Sequence, residues 1–287
     1  MSEEWGRDAG TGDETIVVGR GGWLRLPEEL LLRAGIGSKA VARFEGGSLV
    51  VAPLAGSEAA ARPADTPAAP DAPTRGGIAA EAKGLRKRYG TTPVLDGLDA
   101  TFRAGELHAI VGPSGSGKTT LLHLLAGLEL PDEGAVTIDG TDITHLDRAG
   151  RAAVRRSSIA YVGQQAGLVP HLSALENVEL GLALRGVEEP ARLTALGALE
   201  AVGLGERSTQ RVARLSQGER ARVAIARATA ARPSLLLADE PTSRLDGANA
   251  IAVAILLAEL ARSTGAAVVC STHDPLVIEQ AHRTTTL

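Results

Sequence analysis

The chain has 287 residues, 44% of them hydrophobic and 22% charged, which is the composition of a globular protein with room for one large domain and a smaller one. Its net charge of −4 excludes a general attraction to nucleic acid or to an anionic membrane, although a local basic patch is compatible with it. The single cysteine, Cys270, excludes an internal disulfide, and the apolar residues before it predict a place in the core.

Neither a membrane span nor a secretion signal is predicted. The longest apolar stretch, Ala250–Ala258, is ended by Glu259 and is shorter than the roughly 18 residues that a spanning helix needs. Met1–Asp8 is acidic and has no apolar region of the kind found in signal peptides. We therefore expect a cytoplasmic protein, with residues 1–14 as a polar, disordered leader.

Residues 15–54 form the first folded unit that the sequence predicts. Thr15–Val18 and Trp23–Leu26 have the composition of strands, Pro27–Ala34 begins with proline as many helices do, and a hairpin follows around Glu45–Gly47. A β-β-α-β-β unit of about forty residues is near the size at which folding usually needs an oligomer.

This unit resembles the looped-hinge, AbrB-like transition-state regulator domain, through the order of glycine, arginine, Leu-Pro-Glu and two further glycines across Gly19–Gly37. The resemblance implies a small, β-rich, swapped-hairpin dimer that in many members binds DNA through arginines. The unit has five cations against three acids, so both dimerisation or partner docking and DNA contact through residues 15–54 remain open. Residues 55–77, with eight alanines and four prolines, predict an extended linker.

A phosphate-binding loop is predicted at Gly112–Thr119, which matches G-x-x-x-x-G-K-[ST] at every fixed position. Leu107–Val111 before it predicts a buried strand and Thr120–Ala126 after it predicts a helix, which is the context that the motif needs. We expect Lys118 to reach the β- and γ-phosphates and the hydroxyl of Thr119 to ligate Mg²⁺. The expected nucleotide contacts of this stretch are Gly112, Pro113, Ser114, Gly115, Ser116, Gly117, Lys118, Thr119 and Thr120.

Strands and helices alternate around this loop from residue 78 onwards. Leu85–Gly90 and Val94–Phe102 predict antiparallel strands, Ala135–Ile138 predicts a further strand, and residues 146–156 and 190–203 have helical spacing. This alternation indicates a mainly parallel α/β sheet, the P-loop NTPase fold, for the rest of the chain.

The acid pair Asp239–Glu240 follows the apolar run Leu235–Ala238. Such a run predicts a buried parallel strand, whose carboxyl end meets the phosphate loop. We expect Asp239 to hold Mg²⁺ through its water shell and Glu240 to orient or deprotonate an attacking water.

A second anion site is predicted at Leu215–Glu219, which precedes the amphipathic helix Arg220–Arg227. Ser216 and Gly218 at a helix N-terminus offer a hydroxyl and bare N–H groups. Because one phosphate site is already present, the second is useful if it faces the nucleotide bound to another copy of the chain.

With these motifs, residues 78–287 resemble the nucleotide-binding subunit of an ABC transporter. Leu215–Glu219 is close to the family's signature loop L-S-G-G-Q, with Gln217 and Glu219 as departures. The resemblance implies ATP and Mg²⁺ as ligands, ATP hydrolysis, a helical signature subdomain, and a homodimer that sandwiches ATP between the phosphate loop of one copy and Ser216–Gly218 of the other. It also implies a separate integral-membrane permease, with this subunit on the cytoplasmic face of the membrane.

The same resemblance assigns roles to further residues. Gln164 matches the Q-loop glutamine that contacts Mg²⁺ and water and couples to the permease, with Gln165 as the neighbouring alternative. Tyr89 matches the aromatic residue that stacks on adenine, and His273 matches the switch histidine that senses the γ-phosphate. Asp246 ends a D-loop-like Ser-Arg-Leu-Asp sequence at the expected dimer interface, in which the arginine departs from the usual small residue.

Leu121–Glu129 and Leu172–Val178 look most like the lipoprotein-releasing and macrolide-exporter ATPases, which implies an exporter-type complex. An alternative from another class is a DNA-binding regulator that uses the ATPase domain as a nucleotide-gated dimeriser, and the N-terminal unit motivates it. A soluble ABC ATPase of assembly or repair type is a third candidate, although the absence of large insertions argues against repair.

Overall fold

The computed structural model describes residues 77–187 and 191–287, together with the backbone of four short strands nearer the N-terminus. The chain divides into two compact units, Met1–Ala69 and Pro70–Leu287. The division falls within the stretch that the sequence predicts as a linker.

In the first unit the four strands form two antiparallel pairs. β1 (Val17–Val18) pairs with β2 (Leu24–Arg25), and β3 (Ala40–Glu45) pairs with β4 (Ser48–Pro53). The predicted helix at Pro27–Ala34, the leader and residues 55–76 of the predicted linker lie outside the described residues. The looped-hinge, swapped-hairpin domain therefore stays a prediction.

The strands of the second unit form two sheets. In its described residues they are β5 (Ile78–Tyr89), β6 (Thr92–Arg103), β7 (Leu107–Val111), β8 (Glu133–Ile138), β9 (Thr141–Asp142), β10 (Ile159–Val162), β11 (Leu235–Asp239), β12 (Ala267–Ser271) and β13 (Arg283–Thr286). An antiparallel sheet has the order β6-β5-β8-β9, and a parallel sheet has the order β10-β11-β12-β7-β13. The predicted α/β P-loop fold is confirmed.

The strands β7, β11 and β12 are buried along almost their whole length. Successive side chains of a strand point to opposite faces, and here both faces are covered. Val268 and Cys270 therefore join one hydrophobic cluster while Val269 between them joins the other. Cys270 is fully buried, as predicted, and burial raises the pKa of its thiol.

The helices of the second unit cover the two faces of the parallel sheet and build a helical layer beside it. In the described residues the α-helices are α1 (Lys118–Leu125), α2 (Arg148–Ser158), α3 (Ala174–Leu184), α4 (Ala191–Ala201), α5 (Gln217–Thr229), α6 (Gly247–Thr264) and α7 (Pro275–Gln280). Helix α1 contacts β8, β11 and β12, whereas α6 contacts β7 and β12. Helices α3, α4 and α5 pack on one another and correspond to the predicted helical subdomain.

Helix α6 is, in the described part of the chain, the one helix long and apolar enough to cross a membrane, with 18 residues and a mean hydropathy of 1.2. Its apolar composition has another explanation, because Val253, Leu257 and Ala261 are buried in the hydrophobic core. Asp246 caps its N-terminus and Gly265 its C-terminus, so both ends are those of a helix in a globular domain.

Candidate nucleotide-binding site

The phosphate loop connects β7 to α1, as the motif predicts. Gly117 is the N-cap residue of α1 with φ at 98°, and within the described part of the chain no side chain caps this helix N-terminus. A Cβ on Gly117 would lie 2.8 Å from Cγ1 of Val94, so both the backbone conformation and the close approach need glycine. The N–H groups of the first turn are left for a ligand, and with the helix dipole they favour an anion.

Lys118 is buried inside this loop, with only 7% of its surface exposed. Its Nζ donates to the carbonyl oxygens of Gly112 and Pro113, each at 2.9 Å, and in the described residues no carboxylate lies within ion-pair distance of it. The hydroxyl of Ser116 is also buried, and it has no hydrogen-bond partner among the described residues. A buried cation without a counter-charge is costly, so the cradle is suited to a phosphate group.

Thr119 and Asp239 supply oxygen atoms beside the cradle. Thr119 Oγ1 lies 3.0 Å from Oδ2 and 3.3 Å from Oδ1 of Asp239. Among the described residues no group of three or more His, Cys, Asp or Glu side chains could enclose a metal ion by itself. A hydroxyl beside a carboxylate fits Mg²⁺, which takes oxygen ligands, retains waters and is usually shared with substrate phosphates.

Asp239 is also held by two residues that sequence reasoning did not assign. The hydroxyl of Ser271 donates to Oδ1 of Asp239 at 2.5 Å, and the phenol of Tyr161 lies 3.3 Å from Oδ2. Burial, and then the negative charge of Asp239, raises the pKa of Tyr161, so the phenol stays protonated and acts as a donor. The carboxylate of Asp239 is therefore contacted by three hydroxyl groups, those of Thr119, Ser271 and Tyr161.

Glu240 lies next to two of the predicted site residues. Its Oε2 accepts a hydrogen bond from Nε2 of Gln164 at 3.1 Å, and its Oε1 lies 3.4 Å from Nδ1 of His273. Glu240 has a positive φ of 46°, which is unusual for a residue with a side chain, and its N–H points to both the carbonyl and the hydroxyl oxygen of Ser271. The contact with Glu240 favours Gln164 over Gln165, and both glutamines line the neighbouring cavity.

Tyr89 is the last residue of β5 and is 49% exposed, so part of its aromatic ring is accessible to a ligand. Its hydroxyl donates to Oε2 of Glu129 at 2.5 Å. Thr120 on α1 lies near this hydroxyl, and the roles of both residues in binding a nucleotide stay predictions.

The signature residues form a separate cluster. Ser216 caps α5 by accepting the N–H of Glu219 at 3.2 Å, while Glu219 accepts the N–H of Ser216 at 2.8 Å. Gly218 packs against the side chain of Asn249, which donates to the carboxylate of Asp246. In the described residues no hydrogen bond or ion pair joins Ser216, Gly218 or Asp246 to the phosphate loop, although Gln217 and Gln164 line one cavity of about 340 Å³.

Comparison with known proteins agrees with this geometry. The family model described as "ABC transporter" matches residues 95–243, which include the phosphate loop, the signature loop and the acid pair. The chain belongs to the ABC transporter family. It is the ATP-binding, ATP-hydrolysing subunit of an ABC transporter and powers a separate membrane permease.

Several individual relatives of this ABC subunit are close. The lipoprotein-releasing system ATP-binding protein LolD 2 of Caulobacter vibrioides is 44% identical over 197 residues, which cover 67% of this chain and 86% of the relative. LolD of Shewanella frigidimarina is 45% identical over 185 residues, which cover 64% of this chain and 77% of the relative. The chain is therefore similar to the lipoprotein-releasing type, in agreement with the resemblance of its helix and loop sequences.

Solved structures of dimeric ABC cassettes are also similar. A dimeric bacterial ABC transporter cassette matches with a TM-score of 0.66 and 37% identity over 72% of this chain and 94% of that chain. A dimeric cassette in a post-hydrolysis state, bound to ADP and Pi, matches with a TM-score of 0.65 and 36% identity over the same shares. The family match does not extend to residues 15–54, and these comparisons give no support to an AbrB-like domain or to DNA binding.

Proposed function

We propose that two copies of this ABC subunit close head to tail around two ATP molecules. Each ATP lies between the phosphate loop of one copy and Ser216–Gly218 of the other. The observation that supports this most is the division of the phosphate-binding groups into two clusters without a mutual hydrogen bond or ion pair in one copy. The Ser216 hydroxyl accepts the N–H of Glu219 and still has its own hydrogen to donate to a phosphate oxygen.

In this arrangement the phosphate loop binds the triphosphate and Tyr89 stacks on the adenine ring. Lys118 gains the counter-charge that the side chains of the described residues do not supply, and the uncapped N–H groups of α1 bind phosphate oxygens. Thr119, Asp239 and Gln164 would hold Mg²⁺, which when bound neutralises charge on the β- and γ-phosphate oxygens.

Glu240 is the base for hydrolysis. A water oxygen attacks the γ-phosphorus, the bond from phosphorus to the bridging oxygen of ADP breaks, and the water proton passes to the Glu240 carboxylate. Gln164 and His273 hold that carboxylate from two sides at 3.1 and 3.4 Å, and His273 reaches the γ-phosphate from the same position. Asp246 lies at the interface between copies, where the D-loop of each meets the other.

The permease is of the exporter type, and the subunit acts at the cytoplasmic face of the membrane. Support comes from the relatives, which are named as ATP-binding proteins of lipoprotein-releasing systems. Closing and opening of the two copies is transmitted through the surface around Gln164 and the adjoining cavity. Recovery of the chain from membranes together with a multi-span protein, and a rise in ATP hydrolysis when the two are reconstituted, would support this partner.

Shared pockets are tested by mixing two inactive variants, Lys118→Ala and Ser216→Ala. A mixed dimer has one pocket with both defects and one intact pocket, so an equal mixture regains roughly a quarter of the normal turnover if pockets act independently. The matched control mixes Lys118→Ala with Thr119→Ala, which cannot make an intact pocket. If the first mixture stays as inactive as the second, the head-to-tail dimer is wrong.

A further inference from the structure

The end of strand β5 is held by the segment Glu129–Asp132, which follows helix α1. The N–H of Asp132 donates to the carbonyl of Arg86 at 2.9 Å, and Oδ2 of Asp132 accepts the N–H of Arg88 at 2.7 Å. We call the segment Glu129–Asp132 the bracket. Because α1 begins at the phosphate loop, the bracket joins the helix of that loop to the strand that ends in Tyr89.

Glu129 makes the most specific contact of the bracket. Its Oε2 accepts the phenol hydrogen of Tyr89 at 2.5 Å, and its Oε1 lies 3.0 Å from Nδ1 of His123 on α1. His123 in turn packs its ring against Tyr161, with centroids 5.9 Å apart. The carboxylate is thus held from both sides, so it fixes the Tyr89 hydroxyl at a defined distance from α1.

Lys87 constrains the Tyr89 ring itself. Its Nζ lies over the ring, 5.6 Å from the centroid, which is within the range of a cation–π interaction. That ammonium donates to the carbonyl of Leu130 at 2.8 Å and pairs with Asp132 at 3.6 Å. One face of the ring is therefore covered by a cation that the bracket holds, and the ring still has 49% of its surface exposed.

Charge keeps this arrangement in one protonation state. Partial burial raises the pKa of Glu129, but the hydrogen bonds from Tyr89 and His123 outweigh it and leave the pKa below its usual value. The hydrogen bond to Glu129 raises the pKa of Tyr89. At neutral pH the pair is therefore a carboxylate that accepts and a phenol that donates, which is the stronger form of such a bond.

We propose that Glu129 is a positioning residue for nucleotide recognition: it anchors the Tyr89 hydroxyl so that the exposed ring face is presented to the adenine base. This inference rests on the proposed role of Tyr89. Fixing the ring before ATP arrives removes the cost of ordering it on binding, so the anchor contributes to affinity for the base and not for the phosphates.

The test compares binding of ATP with binding of inorganic tripolyphosphate, which has no base. Calorimetric titrations of the full chain are made in EDTA so that ATP is not hydrolysed. We expect Tyr89→Ala to weaken ATP binding by about tenfold to a hundredfold, the size of a lost base–aromatic stack, and Glu129→Ala to weaken it by about fivefold. Both variants should bind tripolyphosphate as the unchanged protein does.

Two further variants sharpen the result. Tyr89→Phe keeps the ring and removes the anchored hydroxyl, so adding Glu129→Ala to it should cause no further loss. Glu106→Ala is the matched control, because Glu106 is also a half-buried carboxylate with one ion pair, to Arg283, and should bind both ligands normally.

Each contrary outcome has a distinct meaning. If Tyr89→Ala weakens ATP binding selectively but Glu129→Ala does not, the positioning role of Glu129 is refuted while the role of Tyr89 stands. If Glu129→Ala weakens ATP and tripolyphosphate equally, it acts through the phosphate loop and the inference fails. If Tyr89→Ala has no selective effect, the adenine role of Tyr89 fails and the inference falls with it.

Discussion

The hydroxyl of Ser271 joins the two acids of the site. It donates to Oδ1 of Asp239 at 2.5 Å and accepts the backbone N–H of Glu240 at 3.1 Å. Asp239 and Ser271 are register partners at the carboxyl ends of the neighbouring parallel strands β11 and β12, and both are buried. One small side chain therefore orients the carboxylate that we propose holds Mg²⁺ and supports the backbone conformation of the proposed base.

Replacing Ser271 with alanine should impair hydrolysis more than folding. The lost hydrogen bond to a charged group is worth about 1.5–3 kcal/mol, which corresponds to a fall of roughly tenfold to a hundredfold in kcat/KM. The Mg²⁺ concentration that gives half-maximal ATPase activity should rise, because Asp239 is no longer held toward Thr119. Steady-state ATPase assays over a Mg²⁺ series measure both quantities.

Ser234→Ala is the matched control for Ser271→Ala. Ser234 precedes β11 at the opposite end of the strand and also donates to a carboxylate, that of Asp139, at 2.5 Å. Its loss should lower stability without changing the Mg²⁺ dependence. An unchanged Mg²⁺ dependence in Ser271→Ala as well would contradict the positioning role.

Glu240→Gln should abolish turnover while ATP-bound dimers persist. Glutamine preserves the size of the side chain and its contact with Gln164, but it cannot accept the water proton, so kcat should fall by about a hundredfold to ten-thousandfold. Light scattering after addition of ATP would detect the dimers. Glu179→Gln, which only removes an exposed ion pair with Arg192, serves as the control, and normal hydrolysis by Glu240→Gln would refute the assigned role.

His108 should make stability depend on pH. It is buried on β7, its Nε2 contacts Thr285 at 2.8 Å, and among the described residues its Nδ1 has no hydrogen-bond partner. Burial, and then the nearby charge of Arg283, lowers its pKa to about 4. Because the unfolded chain takes up a proton at pH about 6.5, stability is complete above that pH and is lost as pH falls from about 6.5 to 4.

The pH effect is measured by urea unfolding at pH 7 and pH 5. The unchanged protein should lose about 2 kcal/mol more stability between these values than His108→Gln, because the glutamine does not titrate. His145→Gln is the control, since the His145 side chain is 81% exposed, and it should keep the full pH dependence. Equal losses in the unchanged protein and in His108→Gln would show that His108 does not carry the effect.

The chemistry of this site is largely predictable from the sequence, because its main elements are local patterns. The phosphate loop is a continuous motif, and β7 and β11 are apolar runs that end at the loop and at the acid pair. In the sequence, helix α6 can be recognised only as an apolar run, because its exposed face carries Ile251 and Ile255 and so lacks the polar stripe that reveals a helical period. The roles expected of Tyr89, Gln164, Asp246 and His273, by contrast, follow from the family resemblance.

Contacts between distant segments were not predictable in this way. Tyr161 reaches Asp239 across 78 residues and Tyr89 reaches Glu129 across 40, and no local pattern encodes such a pairing. The sequence does indicate that Ser271 lies at the end of a strand, because it directly follows the apolar run Ala267–Cys270, as Asp239 follows Leu235–Ala238. The order of the parallel strands was needed to bring the two together.

The burial of Cys270 inside β12 has a practical consequence. Its thiol is the only one in the chain, is fully enclosed and has a raised pKa, so maleimide and nitroxide reagents should leave it untouched in the native protein. A cysteine introduced at Ser114 of the phosphate loop or at Gln217 of the signature loop would then carry a spin or fluorescent probe without prior removal of a native thiol. Distances between such probes would follow each cycle of closure and release directly.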